Sequence, residues 1–295
     1  MSLFFQLTIN GLIAGSIYAL IASGFSLIYS TNRFMHFAHG ISVVVAGYIL
    51  YTLFSLFGLN FFLATVLTLI LSGLFGLGMF RAVYLPLQSR KASNVILLMA
   101  SIAILILFQN VVQIIYGADV KTIGFIEVSK GLNILGAIVT PLQIVIIATS
   151  LVLLVGLYFF MQKTKLGRDM RAVADNKELA SIVGINQKRV SDYTFTIGSI
   201  LAGIAGILIG LEQNLEPAMG TALVIKGFTG AVIGGIISVP ASVLGSYVLG
   251  FAENYGIWFL PSGYKDAIAF VLLFIFLLFR PNGLFGNKGG NKWQR

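Results

Sequence analysis

The chain reads as an all-α polytopic membrane protein with about 8–10 transmembrane helices, some of them broken. Three observations predict this class. Of its 295 residues, 58% are apolar and only 10% charged, and the mean hydropathy is +0.95. A soluble domain of this size carries charge on roughly a quarter of its residues. The apolar residues also fall in repeated runs of about 20, the length at which a helix crosses the hydrocarbon layer. Finally, the runs do not alternate polar with apolar, as barrel strands would. A lipid-spanning backbone must satisfy its own polar groups, so helices remain.

In chain order, nine segments are expected to span. Five lie at 4–29, 37–57, 61–80, 95–116 and 139–161. After a polar interval come 193–211, 221–237, 241–259 and 262–279. The first is too long for a signal-peptide core and lacks a basic start, so it is read as a span. The segment 221–237 is short and Gly-rich, which marks it as broken or re-entrant. The largest loops, 117–138 and 162–190, are too short to fold alone. The expected organisation is one transmembrane domain over 1–295, with 162–190 as a loop within it.

Charge orients these spans. The chain has 19 Lys and Arg, 10 Asp and Glu, and a net charge of +9. The basic residues sit mainly between apolar runs, so membrane topology explains them and no nucleic-acid role is called for. With 162–190 in the cytoplasm, alternation puts Arg33, Arg81, Arg90 and Lys91 on the same side, with Arg280, Lys288, Lys292 and Arg295 of the tail. Lys121, Lys130, Lys226 and Lys265 remain outside. Nine crossings then place the amino terminus outside and the carboxyl terminus in the cytoplasm.

The loop 162–190 carries the most legible pattern. Leu166, Met170 and Val173 share one face of a short helix. Asp175 and Glu178 have the spacing of a capping box. Leu179, Ile182 and Val183 form a second apolar stripe, and Gly184 suits the left-handed end of a helix. Two short amphipathic helices are expected there, either resting on headgroups or on their own bundle, or docked in a partner's groove.

Candidate pathway residues lie in two segments rich in small residues. One contains His36, His39, Gly40 and Ser42; the other contains Gly234 and Gly235 and runs through Pro240 to Tyr247. Interrupted segments in corresponding halves point to a translocation path and an internal duplication. Close helix packing through Gly and Ser is the alternative. The Ser-Val…Tyr likeness of 42–48 and 242–247 is too short to prove a repeat. His36 and His39 are spaced for one helical face, but no third ligand is near and no metal is expected. Glu253, inside a span, is a functional candidate by position, either in the pathway or bonded to a neighbouring helix. One carboxylate is a thin basis for an ion relay, which favours the structural role. An ion-coupled secondary transporter remains a rival reading.

Absences narrow the function further. Cysteine is missing, which excludes disulfides, thiolate catalysis and Cys-based metal sites. No Gly-Lys dipeptide occurs, so there is no Walker-type phosphate loop and no enzyme activity of that kind is expected.

Together these residues resemble the LivH-type permeases of branched-chain amino acid ABC importers. The likeness rests on Asn32 followed by Phe37-Ala38-His39-Gly40, and on Asn10-Gly11-Leu12 with Tyr18-Ala19-Leu20. It extends through the spacing from Gly167 to Gly184-Ile185-Asn186, the run Leu201-Ala202-Gly203-Ile204-Ala205-Gly206, and the closing Arg280-Pro281-Asn282-Gly283. Asp175-Asn176-Lys177 departs from the acidic-Asn-Pro common in that family. The resemblance implies a permease of a bacterial or archaeal cytoplasmic membrane that binds no cofactor. It implies two ABC ATPase subunits carrying ATP and Mg, a second and related permease subunit, and an extracytoplasmic binding protein as partners. Asp175, Glu178, Leu179, Ile182, Val183 and Gly184 would then couple to the ATPase. Urea, amides, nucleosides or sugars are alternative cargoes of the same class.

Overall fold

The computed structural model describes residues 2–125, 131–134 and 136–285. Lys130, Lys288, Lys292 and Arg295 of the charge argument lie outside the described residues. The chain folds as α1 (Ser2–Asn32), α2 (His39–Leu50), α3 (Phe61–Met79), α4 (Leu85–Ser89) and α5 (Asn94–Tyr116). A hairpin, β1 (Leu132–Ile134) with β2 (Ala137–Val139), pairs antiparallel in the loop that follows. Then come α6 (Pro141–Lys163), α7 (Lys165–Asp175), α8 (Lys177–Ile182), α9 (Gln187–Glu212), α10 (Met219–Gly234), α11 (Val239–Gly256) and α12 (Lys265–Phe279).

Seven helical stretches among the described residues are long and apolar enough to cross a bilayer. The two remaining expected spans, 221–237 and 241–259, are α10 and α11, which meet at a bend of 113°. Gly235 makes the break with φ +132, and Ser238 caps α11 at the Ala241 N–H. Helix starts are set by polar side chains that lie close to the expected ends for α5 and α6 and, for α9, seven residues ahead of the expected start at 193. Ser93 caps α5, Asn186 caps α9, and Thr140 forms a capping box with Gln143 at the head of α6.

Small residues decide what packs at the centre. α1 and α9 cross where a Cβ on Gly24 would lie 2.8 Å from the Gly198 carbonyl. α3 leans on α9 through Gly73 and Gly76, and α11 lies on α1 through Gly250. Without a hydrophobic force between helices in lipid, such close backbone approach supplies the packing. The outer helices, α12 above all, turn Phe270, Phe274 and Leu278 outward.

α2 and α10 do not start at the ends of the bundle. His39 donates from Nε2 to the Ile21 carbonyl at 3.1 Å. Ile21 lies eleven residues, about 16 Å, up α1 from its end at Asn32. The non-helical residues 33–38 therefore run back into the bundle, and α2 begins near its middle. Residues 213–218 do the same from the other end, pinned where Leu215 and Lys121 exchange backbone hydrogen bonds at 2.8 and 3.0 Å. The heads of α2 and α10 meet at Gly40 and Gly220.

Candidate functional site

The central crossing is built from one pattern used twice. Ala38, Gly40, Val44 and Gly47 in the first half recur, at one constant separation, as Ala218, Gly220, Val224 and Gly227. Their contacts are reciprocal. A Cβ on Gly40 would overlap the Gly220 carbonyl and sit 2.8 Å from the Val224 Cβ, while one on Gly220 would sit 2.8 Å from the Val44 Cγ2. α1 and α9 lie antiparallel, and so do α2 and α10, so the two halves are inverted copies. The segment 32–48, set beside 227–247 from sequence, thus finds its counterpart at 218–227. Gly40 corresponds to Gly220; Gly234 and Gly235 form the α10–α11 bend, about 21 Å further along α10. The Gly-x-x-x-Val-x-x-Gly spacing was the signal that would have found Gly220.

His36, His39 and Ser42 are fully buried beside this crossing. His36 shares a hydrogen bond between Nδ1 and the Tyr84 hydroxyl at 2.9 Å, and its ring packs edge-on against Phe195. The two histidine rings are 6.1 Å apart. No group of three metal-ligating side chains exists among the described residues. The Ala38 N–H, free at the head of α2, donates to Ser101 Oγ at 2.8 Å.

Glu253 is fully buried and bonded to neighbouring helices. Tyr18 donates to its Oε2 at 2.8 Å, and Lys226 Nζ lies 3.5 Å from Oε1. Lys226 also pairs with Asp266 at 2.8 Å and donates to the Tyr18 hydroxyl at 3.2 Å. Lys226, one of the cations that charge counting places outside, is largely buried and lines a cleft beside this network. The physical reason is that α10 starts halfway, which carries its second turn past α1 and α11. A buried carboxylate needs such a partner. The cleft has a volume of about 920 Å³ and is lined also by Ile17, Glu212 and Met219. A lysine midway along a predicted span was the sequence signal for the pair.

At the opposite end of the bundle, α7 and α8 form a ledge. α7 buries Met170 and Val173 and half-buries Leu166, as its periodicity requires. The cap of α8 corrects the capping-box expectation. Asp175 is the last residue of α7, and Asn176 breaks the helix at φ −148 and accepts from the N–H groups of Glu178 and Leu179. Asn176 sits one position closer to the free N–H groups, so neither Asp175 nor Glu178 takes a capping role. Gly184 ends the element at φ +86, where a Cβ would be strained. Leu179, Ile182 and Val183 remain 60%, 78% and 74% exposed.

Two cations tie this ledge to the break after α1. Lys177 Nζ donates to the Asn32 carbonyl at 3.0 Å, and Arg33 donates from Nη2 to the Ala174 carbonyl. Arg33 is held at φ +64, a conformation few non-glycine residues adopt. Burial, and then the Arg33 charge, hold the Lys177 ammonium below the ordinary lysine range. Neither cation was singled out from sequence, because the contacts join residues more than 140 positions apart.

Comparison with known proteins agrees with this architecture. Residues 7–277 match the family model described as branched-chain amino acid transport system / permease component. The chain is 34% identical to the high-affinity branched-chain amino acid transport system permease protein BraD of Pseudomonas aeruginosa, over 96% of each protein. It is 31% identical to LivH of Escherichia coli K12, again over 96% of each. A chain of PsaBC from Streptococcus pneumoniae, solved in complex with Fab, shares the fold with a TM-score of 0.52 at 12% identity, covering 92% of this chain and 91% of that one. The chain belongs to the permease-component family of branched-chain amino acid transport systems.

Proposed function

We propose that this chain is the permease subunit of an ATP-driven importer of branched-chain amino acids. Its relatives at 31–34% identity carry that cargo in their names. The observation that carries the division of labour is α8, a short capped helix presenting Leu179, Ile182 and Val183 to solvent beside a basic loop. Such a face fits the groove of a partner, and the absence of a phosphate loop assigns ATP and Mg to that partner, a pair of ATPase subunits. A second, related permease subunit and an extracytoplasmic binding protein complete the assembly.

In this reading the 162–190 loop is cytoplasmic, as its lysines and arginines favour. Counting α2 and α10 each with the non-helical segment ahead of it gives nine passages. The amino terminus is then outside and the carboxyl terminus in the cytoplasm. Closure of the ATPase pair moves α8, and Lys177 and Arg33 pull on residues 33–38. That segment carries His36, His39 and Gly40 at the central crossing, so the pull alternates access to the path. Glu253, bound to Lys226 and Tyr18, holds α10 and α11 on α1 and is not a free ion-coupling carboxylate.

The test is Ile182→Asp and Val183→Asp in the assembled importer. Expected is loss of ATPase co-purification and of uptake, with normal membrane insertion. Normal uptake by both variants would overturn the docking role.

A further inference from the structure

A groove of about 700 Å³ runs between α6 and α11 on the outward face of the bundle. Leu151, Leu154, Val155 and Tyr158 form one wall, and Val243 and Leu244 the other. Four of these six side chains are exposed apolar groups. At one end the lining changes character: Arg171 of α7 and Gln162 close it, and Arg171 donates from Nη1 to Gln162 Oε1 at 2.7 Å. No carboxylate pairs with Arg171 among the described residues. From Leu151 to Gln162 is eleven residues, about 16 Å of helix. That matches one leaflet of a hydrocarbon core about 30 Å thick.

We propose that this groove is a binding site for one anionic phospholipid, with an acyl chain along α6 and α11 and the phosphate on Arg171. Two features select that occupant. The apolar length ends where the cation begins, as in a lipid and unlike a protein helix of mixed surface. The uncompensated guanidinium asks for a negative headgroup, which it can engage through two donors. Ala174 also lines the groove, and its carbonyl is the acceptor of Arg33. A lipid bound here braces α7 against α6 and α11, on the helix that carries the link to the break after α1.

The chain has no cysteine, so Val155→Cys gives it a unique label position on the groove wall. The assembled importer, fluorescently labelled there on this chain alone, is reconstituted in vesicles of brominated phosphatidylglycerol or brominated phosphatidylcholine. Expected is stronger quenching by the phosphatidylglycerol. Arg171→Gln should reduce that preference about fivefold, the factor one cation near an anionic headgroup supplies. Arg171→Lys should keep most of it, and Arg168→Gln, on α7 but outside the groove, should leave it unchanged. Equal quenching by the two lipids overturns the proposal. So does an Arg168→Gln effect as large as that of Arg171→Gln, which marks a diffuse surface field. Absence of quenching by either lipid also overturns it, because a protein partner then fills the groove.

Discussion

Gly40 and Gly220 hold the heads of α2 and α10 in backbone contact at the middle of the bundle. Neither position has room for a methyl group. The contact joins the inverted halves of the chain at equivalent residues, so a change at either one reaches both.

Gly40→Ala should destabilise the protein by about 1–3 kcal/mol, the usual cost of overpacking a rigid contact. Gly220→Ala should cost less. Its Cβ would stand 2.8 Å from a valine methyl and 2.9 Å from the Gly40 carbonyl oxygen, whereas a Cβ on Gly40 would overlap the Gly220 carbonyl oxygen. Gly78→Ala is the control, since nothing lies within 4 Å of its added Cβ. Thermal unfolding in detergent would order the three variants, and equal midpoints would contradict the packing described.

Lys226→Met should be the most damaging single change in the ion network. It leaves Glu253 buried without its cation, a loss of about 3–5 kcal/mol. Lys226→Met with Glu253→Gln should recover much of that loss, because the uncompensated charge is gone. Additive destabilisation in a double-mutant cycle would show that the two residues are not coupled.

Lys177→Met and Arg33→Gly should loosen residues 33–38 without releasing the ATPase subunits. Glycine keeps the left-handed backbone at position 33 while removing the guanidinium. Each hydrogen bond from a charged donor is worth about 1.5–3 kcal/mol. Hydrogen exchange in 33–38 of the assembled importer should rise accordingly, and ATP hydrolysed per substrate imported should rise with it. Unchanged exchange in both variants would remove the proposed link.

Asn176→Ala should fray α8 by about 1 kcal/mol through loss of its cap. Glu178→Ala should leave α8 intact, since its side chain takes no part in the cap. Exchange rates over 177–183 distinguish the two, and an equal effect would restore the capping box read from sequence.

The α7–α8 ledge was legible because its helices are short, polar on one side and bounded by cap residues. Met170 and Val173 lie buried where their periodicity puts them, and Leu179, Ile182 and Val183 lie exposed. The cap itself was read one residue early, since Asp175 and Asn176 are both good N-cap types and only the backbone angle at 176 separates them. The pathway residues were legible as a composition, Gly and His in a broken segment, but not as a register.

By itself the sequence determined that this chain lives in a bilayer, roughly where its helices run, which loop is basic and that this loop holds short amphipathic helices. Those properties depend on hydrophobicity and local spacing, which neighbours along the chain express. Tertiary structure alone decided that α2 and α10 start halfway, that Gly40 meets Gly220, and that Glu253 is paired with Lys226. An apolar helix in lipid presents no polar face to read, so its rotation and depth are set by backbone contacts between glycines far apart in sequence.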